Sequence, residues 1–169
     1  RLQEIILPDN LQKLGNYAFM DCDSLKKIDI PTNVKLIGQY AFNGCNNITS
    51  IGLPDGLSEI GESAFGGCRS LQNINIPQNV KKIGKRAFNG CTSLKQITVP
   101  NGITTIEDYL FSGCLGVESI QIPDNIEKIG DSAFAYSSII NIKIPNSVKT
   151  IGKFAFEESL INSIELPNS

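Results

Sequence analysis

Five cysteines, Cys22, Cys45, Cys68, Cys91 and Cys114, recur at intervals of 23 residues. Thiols can ligate a metal, pair as disulfides or act as nucleophiles, and each use demands particular spacings and neighbours. Zinc sites favour local pairs such as C-x-x-C, and the chain has none. Nucleophilic cysteine or serine normally works with a histidine base, and the histidine count is 0. That count also removes the commonest metal ligand and leaves carboxylates, lysines and thiols for acid–base work. Neighbours in such a column would lie about 5 Å apart, which a disulfide accepts. Five is odd, however, so complete pairing is excluded. Two later copies of the position carry Ser137 and Ser159. Serine keeps the size and the hydrogen-bond donor while giving up metal affinity and disulfide chemistry. The column therefore reads as buried structural thiols, with no catalytic residue, cofactor or metal expected.

The next candidate is "KKIGKR" at 81–86, which has the look of a basic patch. Its neighbours one period away argue otherwise: Lys85 shares a column with Glu62 and Asp108, and Lys82 lies beside Glu59. Alternating signs along a column read as lateral ion pairs on a solvated face. With a net charge of −2 there is no basic excess to recommend a nucleic-acid partner. Charged residues make up 19% and hydrophobic ones 41%, a balance that fits a folded domain and not a disordered one. Nothing reaches the run of about 18 apolar residues that membrane insertion requires.

Behind these residues is a repeat. Prolines stand at 8, 31, 54, 77, 100, 123, 145 and 167, spaced by 23 residues five times and then by 22 twice. Eleven residues after each of the first seven comes a phenylalanine, from Phe19 to Phe156. Apolar residues recur six, three and one before the proline, as in Leu71, Ile74 and Ile76. The last two are two apart and mostly β-branched, so "LxxIxIP" is predicted to be a strand with one face inward. Proline lacks an N–H, so the proline row marks strand ends. A turn follows at Asp9-Asn10, Thr32-Asn33, Asp55-Gly56, Gln78-Asn79, Asn101-Gly102, Asp124-Asn125 and Asn146-Ser147. The exchange of Asn with Gly at its second place predicts a left-handed backbone there. A stacked asparagine ladder is the rival reading. The remaining "VKxIG…AF" predicts a second short strand, then a turn of helix carrying Ala-Phe inward. Gly15, Gly38, Gly61, Gly84, Gly130 and Gly152 mark the bend, but Glu107 breaks that row and Leu110 replaces its alanine. That coil is expected to pack differently, and Glu107 argues that the bend does not demand positive φ.

One such unit cannot cover its own apolar residues, whereas stacked units cover one another. The fold class expected is a repeat solenoid, mostly β with short helical turns and right-handed connections. Residues 1–169 form a single array of seven full repeats plus a terminal strand, giving a parallel sheet of about eight strands. Since the chain opens inside the pattern, it reads as a segment of a longer protein. Its outermost strands, 2–7 and 161–166, are expected to leave open edges.

The joined motif, as in "LQNINIPQNVKKIGKRAFNGCTS" at 71–93, resembles the BspA-like branch of the leucine-rich repeats over essentially the whole chain. The resemblance implies a right-handed solenoid on the surface of, or secreted by, mucosal bacteria or parasitic protists. It implies adhesion, with host matrix proteins such as fibronectin or fibrinogen as ligands within the family, and supplies no catalytic residue. The last two repeats depart from the motif, each losing a residue after its phenylalanine.

The concave sheet face is the conventional binding surface of such arrays. Its outward positions, four and two before the proline, include Lys27 and Asp29, Ser50, Asn73 and Asn75, Gln96 and Thr98, and Ser119 and Gln121. The middle coils present amides and hydroxyls with almost no charge, suited to hydrogen-bonded recognition of a protein or glycan. A plain solvated sheet has the same appearance. A second candidate surface is the position nine after the proline, an interrupted aromatic stripe through Tyr17, Tyr40 and Tyr109. The alternative there is that the rings merely cover backbone between coils. "NIT" at 47–49 is a glycosylation sequon, relevant only to a eukaryotic secretory route. The expectation is a non-enzymatic adhesion or interaction module, at a cell surface or secreted, that binds a surface or matrix protein or a glycan. A spacer holding another domain away from the cell, or an intracellular regulatory scaffold compatible with free thiols, stands as the alternative.

Overall fold

The computed structural model describes residues 2–166; Pro167, the last of the proline row, lies outside them. The coils run from proline to proline, with coil 1 at 8–30, coil 2 at 31–53, coil 3 at 54–76 and coil 4 at 77–99. Coil 5 is 100–122, coil 6 is 123–144 and coil 7 is 145–166. Stacked parallel, they form a solenoid with two columns of very short strands.

The "VKxIG" column is the regular one. It holds β1 (Lys13–Leu14), β2 (Leu36–Ile37), β4 (Glu59–Ile60), β6 (Lys82–Ile83), β7 (Thr105–Ile106), β8 (Lys128–Ile129) and β10 (Thr150–Ile151). The "LxxIxIP" column holds β3 (Ser50–Ile51), β5 (Asn73–Ile74), β9 (Asn141–Lys143) and β11 (Ser163–Glu165), joined elsewhere by single bridges. All pairing is parallel and in register, so identical positions face one another, as Ile37 faces Ile60 and Ile60 faces Ile83. The parallel solenoid is the one expected, with the second short strand at "VKxIG" present in every coil; its strands number eleven in all, in four sheets, where about eight in one sheet were expected. The reason is that only two or three residues per coil run extended before a turn intervenes.

Inside, identical residues stack. Phenylalanine rings from Phe19 to Phe156 form one column with centroids 5.3 to 6.0 Å apart and planes within 18° of parallel. Rings this close add roughly 0.5–1.5 kcal/mol per pair to the burial of their area. Around them lie the aliphatics of both strand columns, from Leu14 to Ile144. Apolar side chains are uncovered mainly in the outermost coils, as at Ile6 (92% exposed) and Leu166 (65%).

Two local expectations are corrected. No helix exists among the described residues, and the Ala–Phe segment is instead a run of turns. Its N–H groups alternate in direction. In coil 4, Arg86, Phe88 and Gly90 donate forward to the carbonyls of Asp108, Leu110 and Ser112, while Ala87, Asn89 and Cys91 close turns on Gly84, Arg86 and Phe88. A continuous helix would aim every N–H along its own axis. The interruption comes from left-handed residues at both ends of the segment, at positions nine and thirteen after the proline. The ninth is Tyr17, Tyr40, Ser63, Arg86, Tyr109, Ser132 or Phe154; the thirteenth is glycine in coils 2–5 but Asp21, Tyr136 and Glu158 elsewhere. Positive φ is thus absent from the predicted place, at Asn10, Asn33, Gly56, Asn79, Gly102, Asn125 and Ser147. There the asparagines act by their side chains: Asn33, Asn79 and Asn125 donate to backbone carbonyls of the coil before, each at 2.9 Å.

Two glycines of coil 4 are required for different reasons. Gly84 has ordinary φ, but an added methyl would sit 2.4 Å from the backbone nitrogen of Glu62 in coil 3. At Gly90 an added methyl would meet Gly67 only at an ordinary contact distance of 3.8 Å, but φ is +70°. Gly84→Ala is expected to lower stability by on the order of 3 kcal/mol or more, since backbone must move. Gly90→Ala should cost only about 1–2 kcal/mol, the left-handed penalty. Urea midpoints of the two variants check the order, and the reverse order would contradict the packing described.

Candidate functional site

Glu107 and Leu110, the two departures read from the sequence, coincide with the main irregularity of the stack. The row of bend glycines donates back to the preceding coil, Gly61 to Ile37, Gly84 to Ile60, Gly130 to Ile106 and Gly152 to Ile129. Glu107 makes no such bond, and the first column divides there into β1-β2-β4-β6 and β7-β8-β10. A Cβ at this position collides with the coil before, as Gly84 shows, so the strand of coil 5 stands off from that of coil 4, while Gly102 and Gly116 keep the two coils in close contact at Val80 and Leu94. Fully buried Leu110, in a row otherwise of alanines, adds bulk at the same level.

The second column breaks at the same boundary. Gln96 bridges to Asn73 and Ser119 bridges to Asn141, but no pairing joins Gln96 to Ser119. Coils 4 and 5 remain joined at the turn corner, where Phe88 and Phe111 are 6.0 Å apart, the widest step in the phenylalanine column. Two side-chain clamps cross beside it. Lys85 Nζ lies 2.8 Å from Asp108, and the Arg86 guanidinium lies 4.4 Å above the Tyr109 ring. Hydrogen bonding from Lys85 holds the Asp108 carboxyl below the usual carboxylate range. Lys82 pairs with Glu59 at 2.7 Å, so Lys82 and Lys85 of the basic stretch both make lateral pairs read from the sequence.

All nine predicted surface residues are exposed. Lys27 and Asp29 pair with each other at 3.1 Å, in coil 1. Ser50 stands beside Asn73, and Asn73 beside Gln96. Across the 4/5 boundary, Gln96 and Ser119 line one depression of about 630 Å³ with Lys95 and Glu118. Thr98 and Gln121 line another of about 560 Å³ with Gln78, Asn101, Asp124 and Lys143. The structure thus gathers four of the nine at the interruption and leaves Lys27 and Asp29 three to four coil steps away, about 14–19 Å at strand spacing. Lys95, Glu118, Gln78 and Asn101 were missed by a reading confined to strand positions. The pointer to them was the departure at Glu107 and Leu110.

The aromatic stripe resolves into two unlike pairs. Tyr17 stacks on Tyr40 at 5.2 Å, and Tyr109 lies under Arg86. Ser63, between the two pairs, and Ser132, after Tyr109, are buried. All seven positions of this row carry the left-handed backbone, a role that tyrosine and arginine do not advertise.

The five thiols are free. Four are buried, and each donates to a phenylalanine carbonyl of the coil before, at 3.0 to 3.3 Å. Cys22, in coil 1, is only half-buried. Ser137 is buried without a partner for its hydroxyl, so serine keeps the size of the thiol but loses its bond. Among the described residues, no three His, Cys, Asp or Glu side chains converge on a metal position, and no helix is long and apolar enough to cross a membrane.

A parallel, in-register stack of short coils with identical residues in columns defines the class: a leucine-rich-repeat solenoid. The family model for BspA type leucine rich repeat regions, in 6 copies, matches residues 1–117 and 58–169. The chain belongs to that family. It is similar to a leucine-rich repeat protein of Bacteroides ovatus, with 34% identity and a TM-score of 0.82, covering 99% of this chain and 50% of that one. A leucine rich cell surface protein of Faecalibacterium prausnitzii gives 29% identity and a TM-score of 0.90 over 96% of this chain and 47% of the other. The pneumococcal vaccine antigen PcpA shares the fold, with 21% identity and a TM-score of 0.62. The chain spans about half the length of these solved proteins. No curated protein matches it.

Burial pushes the thiols of Cys45, Cys68 and Cys114 up to about 12 and that of Cys91 well above its ordinary value. A native thiol that keeps its proton while the unfolded one loses it makes stability fall with rising pH. The contribution is complete below the ordinary thiol value of 9.0 and fades as pH climbs towards about 12. A thiol reagent at neutral pH is expected to label Cys22 rapidly and the other four only in denaturant. Urea midpoints should decline between pH 9 and 11, less steeply in Cys91→Ala. Rapid native labelling of all five would contradict the buried column.

Proposed function

We propose that the chain is a non-enzymatic interaction module that acts at a cell surface or after secretion, in adhesion to a protein or glycan. The observation that carries this reading is the exposed row of amides and hydroxyls on the strand face. Those groups have solvent-facing donors and acceptors and lie on a rigid array, the arrangement that hydrogen-bonded recognition needs. The likeness to a cell surface protein at 29% identity supports the location. Because the candidate residues extend over five coils, the ligand they suit is elongated or large.

The spacer reading has one observation in its favour, the phenylalanine stack that runs unbroken through all seven coils. A binding screen against extracellular-matrix proteins and a glycan array separates the two. The intact chain is expected to retain at least one ligand. Asn73→Ala, Asn75→Ala, Gln96→Ala and Thr98→Ala should each weaken it about tenfold with the urea midpoint unchanged, a loss of roughly 1.4 kcal/mol. Absence of any ligand in the screen would favour the spacer.

A further inference from the structure

Both strand columns are interrupted between the same two coils, and two depressions lie on the strand face there, one at the boundary and one that starts at it and extends over coils 6 and 7. One lies at the start of the "LxxIxIP" segments, by Lys95 and Glu118. The other lies at their ends, by Val99 and Ile122. Between them run residues 95–99 of coil 4 and 118–122 of coil 5, whose facing edges share no β-pairing. Five extended residues span about 16 Å, so the two depressions are the ends of one elongated seam.

The chemistry of the seam selects among ligands. Its polar groups are mainly primary amides and hydroxyls, Gln72, Gln96, Ser119, Thr98 and Gln121. A primary amide offers a donor pair and an acceptor in one plane, which matches the N–H and C=O of a peptide unit. Each end carries one cation and one anion, Lys95 with Glu118 and Lys143 with Asp124, so the groove has no net charge to attract a polyanion. No aromatic ring lines it, so a planar or ring-shaped ligand has no face on which to stack. Apolar surface is present at one end, from Val99, Ile120 and Ile122.

We propose that the seam between coils 4 and 5 is a binding groove for an extended, overall neutral polypeptide segment of about five residues, held by Gln96 and Gln121 and kept open by Glu107 and Leu110. This deepens the interaction reading above and rests on it. The irregular repeat is then a specificity device. Restoring the repeat consensus closes the groove while completing both ladders.

The test begins with a random linear peptide library displayed on phage and selected on the intact chain. Selected peptides are synthesised and titrated by calorimetry. Gln96→Ala and Gln121→Ala, both exposed, are expected to weaken binding about tenfold each. Lys13→Ala, exposed on the other strand column in coil 1, should leave it unchanged. Glu107→Gly, alone and with Leu110→Ala, should weaken binding by tenfold or more while slowing amide exchange at residues 104–107. Glu107→Gly alone keeps the test valid should the double variant pack poorly. Peptides indifferent to Gln96, Gln121 and Glu107 would overturn the proposal. So would a chain that selects no peptide yet binds matrix proteins or neutral oligosaccharides, an outcome that leaves the interaction reading standing. Failure of every ligand would sink both.

Discussion

Lateral backbone bonding between coils, at the spacing of paired strands, is the constraint from which the rest of this structure follows. Once each coil must lie within about 5 Å of the next, a position can hold only what tolerates its own copy directly above it. Flat rings do, and seven phenylalanines stack nearly parallel. Small thiols do, and the four buried ones each bond to a carbonyl one coil away. Charges must alternate, as Lys82 does with Glu59. The period of the sequence is the imprint of that spacing.

The same constraint explains why residues with chemical potential do no chemistry inside the stack. A thiol held in a dry column, donating to a carbonyl, is pushed away from the thiolate form that reacts. Lys82 and Lys85 of coil 4 are committed to carboxylates of coils 3 and 5. What is left for recognition lies outside, on side chains that point away from the columns, and at the one boundary where the spacing is relaxed.

The period, the buried columns and the lateral ion pairs were legible because stacking writes them at fixed intervals. The backbone conformation of the corner was not. Left-handed geometry is normally announced by glycine or asparagine, yet here it falls on Tyr40, Arg86 and Tyr109, where three forward bonds per coil offset its cost of about 1–2 kcal/mol. Asparagine in the turn signals a different thing, a side-chain bond to the preceding coil. The bend glycines were recognised by position, and Glu107 rightly indicated that their φ is ordinary; the close approach that Gly84 makes to the coil before was not legible. Of the candidate surface, the strand positions could be read directly. The depressions at their ends could not, because they arise from the misfit of coil 5 and involve residues such as Lys95 and Glu118 that carry no periodic signal.

Amide hydrogen exchange resolved by residue tests this picture most directly. The forward-donating amides of Phe42, Phe65, Phe88 and Phe111 should be among the slowest, as should Gly61 and Gly84 in the strand column. The amides of Glu107 and Glu118, which lack the equivalent bond, should exchange at least tenfold faster than those of Gly84 and Lys95. Equal protection across that boundary, or rapid exchange throughout the phenylalanine column, would contradict an array held by lateral bonding and relaxed at one seam.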